Sequence, residues 1–281
     1  MQIEQQRIPV GDIQLNVRSA GTGPTVLLLH GFPDSGEMWN EVTQLLAATG
    51  YRVLAPDLRG FGESDAPLGR RHYTLDRVVA DLIAILDRLS PGEPVRVAGH
   101  DWGAVVAWCL SLAHPERVLS NVVISVGHPR EYAVAGLEQK RKGLYTIAWQ
   151  ARGLAEAWLS RGDFAGLRGW VRQHPRLEDC VRSMSRPGRL TAGLNWYRAN
   201  LMRVMLGTWP PCTVPTLGLW SSGDHFLAED QMQRSQRRMT APWEYVRIDG
   251  AGHWLPLEQP AGVAGLCADW FRKHEARPRG K

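Results

Sequence analysis

The sequence predicts an α/β fold in which a mostly parallel sheet is flanked by helices. Short β-rich runs alternate with longer helical patterns in the first half of the chain, and the alternation resumes near its end. Several of these runs are continuously apolar, as is typical of strands that are covered on both faces. An alternation of strand, helix and strand implies parallel strands joined by right-handed crossovers.

Five strands and two helices are predicted in the first half of the chain. The strands lie at 13–19, 25–29, 52–56, 95–99 and 121–126. An apolar stripe that begins at Leu75 and Val78 predicts an amphipathic helix at 74–89, which the Thr74 side chain is able to cap. Residues 102–113 are apolar on nearly all sides, which predicts a buried helix.

A segment without a convincing strand then interrupts the pattern. Residues 128 to 211 hold helical stretches rich in Trp, Arg and Leu, broken by glycine and proline. Strands resume at 216–220 and 243–248, and a last amphipathic helix is predicted at 260–274. We interpret the chain as a core at 1–127 and 212–281 with an inserted helical lid at 128–211. Such a lid would cover the carboxyl edge of the sheet, where ligands of open α/β sheets bind.

Composition and length fit a soluble globular protein. The chain has 281 residues, 44% of them hydrophobic, which is enough apolar material for a sizeable core. This composition excludes a disordered chain, a collagen-like fibre and a small disulfide scaffold. The longest apolar runs, at 26–29 and 104–110, are far shorter than the roughly 20 residues of a membrane helix. The length fits one large α/β domain as well as two smaller units.

Charge, cysteines and the N-terminus narrow the partners and the compartment. The net charge of +5 comes from arginines spread along the chain, and the densest basic stretch, 272–281, is typical of a solvated tail. Without a recognisable nucleic-acid motif, we expect no nucleic-acid partner. The four cysteines form no CxxC pair, so neither a zinc site nor a disulfide framework is indicated. Because residues 1–10 are polar and lack the apolar segment of a secretion signal, we expect a reducing cytoplasm.

The strongest functional signal is the pentapeptide GHDWG at 99–103, between a predicted strand and a predicted helix. Its glycines permit a sharp turn that presents Asp101 outward in a strained conformation, as in a nucleophile elbow. The start of the following helix favours a carboxylate there. The alternative is an aspartate that only caps the helix; the partners described next favour a nucleophile.

His253 and Asp224 are the predicted partners of Asp101. His253 lies in a glycine-rich loop after a predicted strand, where an imidazole is able to act as a general base. Asp224 follows the preceding strand and is able to accept a hydrogen bond from that imidazole, which fixes its tautomer. The alternatives are a surface-loop histidine and a turn aspartate, and Glu229 and Asp230 are rival acids.

The segment HGFP at 30–33 follows another predicted strand and supplies a candidate oxyanion hole. The backbone N–H groups of Phe32 and Trp102 would together donate to a developing negative charge. We expect the His30 side chain to support this loop rather than to act as a base.

Five motifs together resemble the α/β-hydrolase superfamily. They are HGFPDS at 30–35, DLRGFGESDAP at 57–67, GHDWGA at 99–104, SGDHFL at 222–227 and GAGHWLPLEQP at 250–260. Because of Asp101 and the lid, the chain most resembles the soluble epoxide hydrolases within that superfamily. The resemblance implies an α/β-hydrolase fold with a mostly parallel eight-stranded sheet and an inserted helical lid.

The resemblance also implies two lid tyrosines that bind and protonate the epoxide oxygen. Tyr197, in LNWYR at 194–198, looks like one of them. Tyr145 falls where the other is expected, five residues before a glutamine, although neighbours such as Ala148 depart from the familiar pattern. Tyr132 is the alternative to Tyr145. For each candidate tyrosine, the alternative interpretation is a lid residue whose hydroxyl lies at the surface.

These residues predict a cofactor-independent epoxide hydrolase that releases a vicinal diol. Asp101 would form an alkyl ester with an epoxide carbon, and His253, oriented by Asp224, would activate the water that cleaves it. The expected substrate is a small apolar or aryl epoxide, with water as co-substrate and without a metal or other cofactor. The expected pocket wall is aromatic and comprises Phe32, Trp102, Trp149 and Trp196. A homodimer is compatible with the sequence, as are roles in detoxification or in assimilation.

Two other functions are compatible with the motifs. A haloalkane dehalogenase of the same superfamily also uses an aspartate nucleophile, and Trp102 would be one of its halide donors. The paired lid tyrosines argue against it, because a halide leaves without a proton. A non-catalytic ligand receptor of the same fold is the second alternative, and the intact set of Asp101, Asp224 and His253 argues against that one.

Overall fold

An eight-stranded sheet forms the centre of the computed structural model, which describes residues 2–275. The order of the strands across the sheet is β1-β2-β4-β3-β5-β6-β7-β8. The strands are β1 Glu4–Val10, β2 Ile13–Ala20, β3 Thr25–Leu29, β4 Arg52–Pro56, β5 Val95–His100, β6 Val118–Ile124, β7 Thr216–Gly223 and β8 Trp243–Gly252. The pairs β1–β2 and β2–β4 are antiparallel, and all later pairs are parallel.

Helices cover both faces of this sheet, and six of them lie in the chain between β6 and β7. The first three are α1 Asn40–Ala48, α2 Leu75–Leu89 and α3 Trp102–Ala113. The lid holds α4 Pro129–Ala133, α5 Leu137–Lys142, α6 Leu144–Ala148, α7 Leu154–Trp170, α8 Leu177–Ser185 and α9 Arg189–Leu206. The last three are α10 Glu229–Arg234, α11 Leu255–Glu258 and α12 Pro260–Lys273. Within residues 2–275, no helix combines the length and the apolar character that a membrane crossing requires.

The two faces of the sheet have separate apolar cores. Side chains of α2 and α3 pack with the lid on one face, and those of α1 and α12 pack on the other. Helix α3 is buried on nearly all sides, as its composition predicts. Since β5 and β3 lie in the middle of the sheet, the loops at their carboxyl ends are enclosed by protein.

Several sequence predictions differ from the structure, among them the ends of β7 and β8, which lie further along the chain than predicted. The strand β1 was not predicted, because most of its residues are polar and exposed and only Ile8 and Val10 are buried. Thr74 precedes α2 in extended conformation, but its side chain makes no capping hydrogen bond, so the predicted cap is wrong. β6 begins earlier than predicted, at Val118. The predicted solvated tail at 272–281 lies mostly outside the described residues, with its first residues in α12 and the turn that follows.

Buried hydrogen bonds from α9 hold the lid on the core. The indole N–H of Trp196 donates to the carbonyl oxygen of Arg59 at 3.1 Å. The amide oxygen of Asn200 accepts from the N–H of Leu75 at 2.9 Å, and its amide nitrogen donates to the carbonyl oxygen of Tyr73 at 2.8 Å. Since α2 begins at Leu75, the lid supplies the acceptor that its first turn lacks.

A buried histidine–aspartate pair joins the lid to the loop that follows β3. His174 Nε2 lies 3.0 Å from Asp34 Oδ1. The other ring nitrogen, Nδ1, accepts from the N–H of Arg176 at 2.9 Å, so Nε2 carries the hydrogen and donates to Asp34. Burial opposes ionisation of Asp34, but the His174 interaction outweighs it and lowers the pKa of that carboxyl below its ordinary value.

Candidate active site

Asp101 lies in a sharp turn at the carboxyl end of the central strand β5. Its backbone has φ 53° and ψ −121°, a conformation that few residues other than glycine adopt. A Cβ atom at Gly99 would overlap the carbonyl oxygen of Gly103, and one at Gly103 would overlap that of Leu29. The two glycines of the pentapeptide are therefore required where the sequence analysis placed the bend.

The two oxygens of the Asp101 carboxylate have different surroundings. Oδ1 accepts a hydrogen bond from the backbone N–H of Phe32 at 2.9 Å, and the N–H of Trp102 also donates to the carboxylate. Oδ2 lies 3.9 Å from Nε2 of His253. Burial raises the pKa of Asp101, while the charge of His253 and the two backbone donors oppose that rise. One oxygen is thus held by the backbone N–H of Phe32, and the other faces the imidazole.

His253 directly follows β8. Its imidazole is held by the carboxylate of Asp224, which directly follows β7. Nδ1 of His253 lies 2.9 Å from Asp224 Oδ2. Asp224 Oδ1 accepts from the N–H groups of Phe226 and Leu227 at 2.8 and 2.9 Å. The carboxylate acceptor places the hydrogen on Nδ1 and leaves Nε2 free to accept a proton on the side of Asp101.

Electrostatic coupling within this pair favours its charged form. Burial would raise the pKa of Asp224, but the positive charge and hydrogen bond of His253 outweigh burial and lower it. Burial would likewise lower the pKa of His253, but the carboxylates of Asp224 and Asp101 outweigh it and raise that pKa above 6.5. The rival acids lie elsewhere: Glu229 accepts from the Tyr245 hydroxyl, and Asp230 forms an ion pair with Arg234.

The backbone of His253 has a further support that the sequence analysis did not assign. His100, in the GHDWG pentapeptide, donates from Nε2 to the carbonyl oxygen of His253 at 2.8 Å. Its ring centroid lies 4.6 Å from that of His253. Burial lowers the pKa of His100 to about 3, so this ring stays neutral beside the titrating histidine. In the sequence, His100 is marked only by its position next to Asp101. The residue whose backbone it supports, His253, is remote in sequence.

The loop that carries Phe32 is braced by His30. Nε2 of His30 accepts from the N–H of Leu58 at 2.9 Å, and Nδ1 donates to the carbonyl oxygen of Gly31 at 2.8 Å. A Cβ atom at Gly31 would overlap the Asp101 carboxylate, so glycine is needed for the loop to approach it. His30 therefore has the supporting position that the sequence predicts.

Tyr145 on α6 and Tyr197 on α9 face each other above Asp101. Their ring centroids are 6.0 Å apart, and the Tyr197 ring meets the Trp102 ring edge-on at 5.1 Å. Burial and the charge of Asp101 are among the causes that raise the pKa of both phenols well above 10, so both stay protonated. Tyr132 on α4 lines the same cavity from another side.

A small cavity joins the nucleophile to the three tyrosines. Its volume is about 50 Å³, which gives space for only a few groups the size of water. Most of the remaining lining is aliphatic and includes Val105, Val126, Pro129, Leu201, Val204 and Leu227. Asp101 and the phenols are thus the main polar groups on an otherwise apolar wall.

The predicted aromatic wall is only partly as expected. Trp102 lines the cavity, and Phe32 and Trp149 pack together at 5.4 Å in the aromatic cluster that supports the tyrosines. Trp170, which the sequence analysis did not single out, belongs to this cluster, 4.5 Å from Trp149. Trp196 is a correction, because it is fully buried behind Trp102, where its N–H holds the lid on the core.

Comparisons with known proteins identify relatives of the chain. A family model described as the alpha/beta hydrolase fold matches residues 24–163. The chain is 32% identical to epoxide hydrolase 2 of Siraitia grosvenorii, over 96% of this chain and 99% of that relative. It is 31% identical to epoxide hydrolase A of Mycobacterium tuberculosis, over 97% and 98% of the two chains.

Solved structures give the same result. The crystal structure of epoxide hydrolase A from Mycobacterium thermoresistibile superposes with a TM-score of 0.81 at 27% identity, and covers 98% of this chain and 100% of that one. An epoxide hydrolase from Vigna radiata superposes with a TM-score of 0.83 at 26% identity, over 96% and 98% of the two chains.

Proposed function

The chain belongs to the epoxide hydrolases of the α/β-hydrolase family, and we propose that it opens its substrate through a covalent ester on Asp101. The observation that carries this mechanism is the unequal surroundings of the two carboxylate oxygens. Oδ1 is held by the backbone N–H of Phe32, the N–H of Trp102 also donates to the carboxylate, and Oδ2 faces His253. A carboxylate in this position has one oxygen fixed and the other available for attack.

In the first step, Oδ2 of Asp101 attacks an epoxide carbon and the carbon–oxygen bond of the ring breaks. Tyr145 and Tyr197 hydrogen-bond the ring oxygen, and one of them gives its proton to the alkoxide that forms. An alkoxide is a far stronger base than a phenolate, so the transfer is favourable even for phenols whose pKa burial has raised. The product of this step is a hydroxyalkyl ester of Asp101.

In the second step, His253 takes a proton from water at Nε2, and the water oxygen attacks the carbonyl carbon of the ester. The negative charge that develops on Oδ1 lies against the N–H groups of Phe32 and Trp102. The tetrahedral intermediate then collapses, its bond to the ester oxygen breaks, and the diol leaves with a proton from His253. The second proton of the water leaves the regenerated Asp101 carboxyl group and neutralises the tyrosine that donated in the first step, so the enzyme returns to its starting state. Asp224 keeps the imidazole oriented and stabilises its charged form.

The haloalkane dehalogenase alternative is not supported. A halide needs no proton when it leaves, so that reaction gives no role to the facing phenols of Tyr145 and Tyr197. The relatives that match nearly the whole chain include proteins named as epoxide hydrolases.

We also assign the protein to a reducing compartment such as the cytoplasm. The support is that the thiols of Cys109, Cys180 and Cys267 are buried and form no disulfide.

The covalent mechanism is tested by a single turnover in ¹⁸O-labelled water with enzyme in excess over 1,2-epoxybutane. We expect label in the Asp101 carboxylate, found by peptide mass spectrometry, and an unlabelled diol from the first cycle. The reason is that the diol departs with an oxygen of Asp101, which water replaces. Label in the diol of the first cycle would instead show direct attack of water on the epoxide. Asp101→Ala, the control variant, should give neither diol nor a labelled peptide.

A further inference from the structure

The cavity above Asp101 contains one phenol more than the proposed reaction uses. Tyr145 and Tyr197 form a facing pair, with ring centroids 6.0 Å apart. Tyr132 reaches the same cavity from α4, a short helix that begins soon after β6 ends. Among the described residues, no aromatic ring pair joins Tyr132 to Tyr145 or Tyr197, although its phenol is near enough to raise the pKa of both. Tyr132 therefore occupies a separate place on the wall.

The hydroxyl of Tyr132 lacks a protein partner. None of the hydrogen bonds among the described residues involves this hydroxyl, although the side chain is largely enclosed by the lid and core. Burial and the nearby charge of Asp101 raise the pKa of Tyr132 to about 12, so the group is a hydrogen-bond donor at neutral pH. A ligand that carries an acceptor at this point would give the hydroxyl the partner that the described protein groups do not supply.

The ring oxygen of an epoxide is fully used by the facing pair. It has two lone pairs, and the phenols of Tyr145 and Tyr197 occupy both. The rest of the cavity wall is mainly aliphatic and includes Val126 and Pro129. A second acceptor must therefore come from the substituent on the epoxide.

We infer that Tyr132 is a specificity-determining residue that donates a hydrogen bond to an oxygen on the substituent of the epoxide. The favoured substrates are then small epoxides that carry a hydroxyl or ether oxygen on the carbon next to the ring. The cavity volume of about 50 Å³ fits a substituent of only a few atoms. This inference rests on the proposed function and adds a substrate class to it.

Two substrates of equal size separate this role from the others. Glycidol carries CH₂OH where 1,2-epoxybutane carries CH₂CH₃, so they differ in a single acceptor oxygen. We expect Tyr132→Phe to lower kcat/KM for glycidol roughly tenfold and to leave that for 1,2-epoxybutane nearly unchanged. Since Tyr132→Phe removes one oxygen atom, its melting temperature should match that of the wild type. Tyr197→Phe is the matched control, and it should slow both substrates because it acts on the ring oxygen.

Three results would overturn the inference. An equal loss on both substrates in Tyr132→Phe would make Tyr132 a donor to the ring oxygen, and no loss on either would make it a wall residue without a role in selection. A wild-type enzyme that converts larger apolar epoxides but neither test compound would exclude the substrate class while leaving the proposed function intact. Failure to form diol from any epoxide would contradict the proposed function itself.

Discussion

At the scale of single residues, function depends on which atoms of a carboxylate or imidazole are already engaged. Asp224 uses Oδ1 for two backbone donors and Oδ2 for His253, so its orientation is fixed before substrate arrives. His253 is fixed in turn at its side chain by Asp224 and at its carbonyl by His100. The proposed general base is thus held from two directions, which would preorganise it for the second step of the proposed mechanism.

The charge on Asp224 should set the pH dependence of that step. His253 acts in its neutral form, and Asp224 raises the pKa of His253, so ester hydrolysis should fall as pH drops through this raised value. Asp224→Asn removes the charge, and we expect the acid limb to move to lower pH while the maximal rate falls at least tenfold. The measurement is the decay of the alkyl enzyme in single turnovers between pH 4 and 9.

Asp230→Asn is the control for this profile. Asp230 is a nearby acid that pairs with Arg234 rather than with His253, so its amide variant should keep the wild-type profile. If the acid limb moved in Asp230→Asn and not in Asp224→Asn, the residue that orients His253 would be Asp230 rather than Asp224.

Residue types in motifs predicted most of the candidate site. Asp101, His253 and Asp224 meet because the carboxyl ends of β5, β7 and β8 lie along one edge of the sheet, and strand order makes that predictable. The role of His100 was not predictable, because its partner is a backbone carbonyl that no side-chain pattern marks. Trp196 was misplaced because an indole suits a pocket wall and a buried lid contact equally well.

At the scale of elements, the lid helix α9 packs on the oxyanion loop through a glycine. A Cβ atom at Gly193 would overlap the ring of Phe32, whose backbone N–H holds Asp101. The ring cannot easily move aside, since Trp149, Trp170 and Tyr197 surround it. The position of the lid and that of an oxyanion donor are thus coupled through one close contact.

Gly193→Ala should therefore be harmful although alanine is the better helix former. In an open helical position the change stabilises by up to about 1 kcal/mol. At Gly193 we expect a lower melting temperature and a loss of several-fold or more in kcat, because Phe32 and its N–H must shift. Thermal unfolding and steady-state rates on one epoxide provide the measurement.

Gly265→Ala in α12 is the matched control for this change. Nothing lies within 4 Å of a Cβ atom at Gly265, so this variant should be slightly more stable than the wild type and equally active. If Gly193→Ala were also slightly more stable and equally active, the contact between the lid and the loop would not matter for activity.

Element types were predictable where a whole surface is apolar, and less so at the margins. The strands β3 and β4 match their predicted bounds, because both are buried on both faces. β1 pairs at the sheet edge and is mostly exposed, so its polar sequence gave no strand signal. Thr74 makes no side-chain cap, and the N–H of Leu75 at this helix terminus is satisfied by Asn200 of the lid, a tertiary contact that local sequence does not reveal.

At the scale of the whole molecule, several histidines are buried in neutral form. Burial lowers the pKa of His100 to about 3 and of His128 to about 4, and it also lowers that of His30. In the unfolded chain these groups bind a proton near pH 6.5. Their contribution to stability is therefore fully present above pH 6.5 and is lost as pH falls toward the folded values.

We expect the free energy of unfolding to decrease as pH falls from 7 to 5. Each neutral buried histidine contributes up to about 1.4 kcal/mol per pH unit within its window. His128→Gln removes one titrating group and should make this decrease shallower. Urea unfolding at pH 7, 6 and 5 measures it, with His114→Gln as a control at a partly exposed position. Equal slopes for His128→Gln and the wild type would show that folding does not lower the pKa of His128.

The order of the site residues along the chain also has a consequence for the protein during its synthesis. Asp101 and the proposed oxyanion donor Phe32 precede the lid in the chain, whereas His253 follows β8. A nascent chain from which β8 has not yet emerged therefore lacks the group proposed to hydrolyse the ester on Asp101. Turnover by the proposed mechanism requires that β8 and the loop after it have been synthesised.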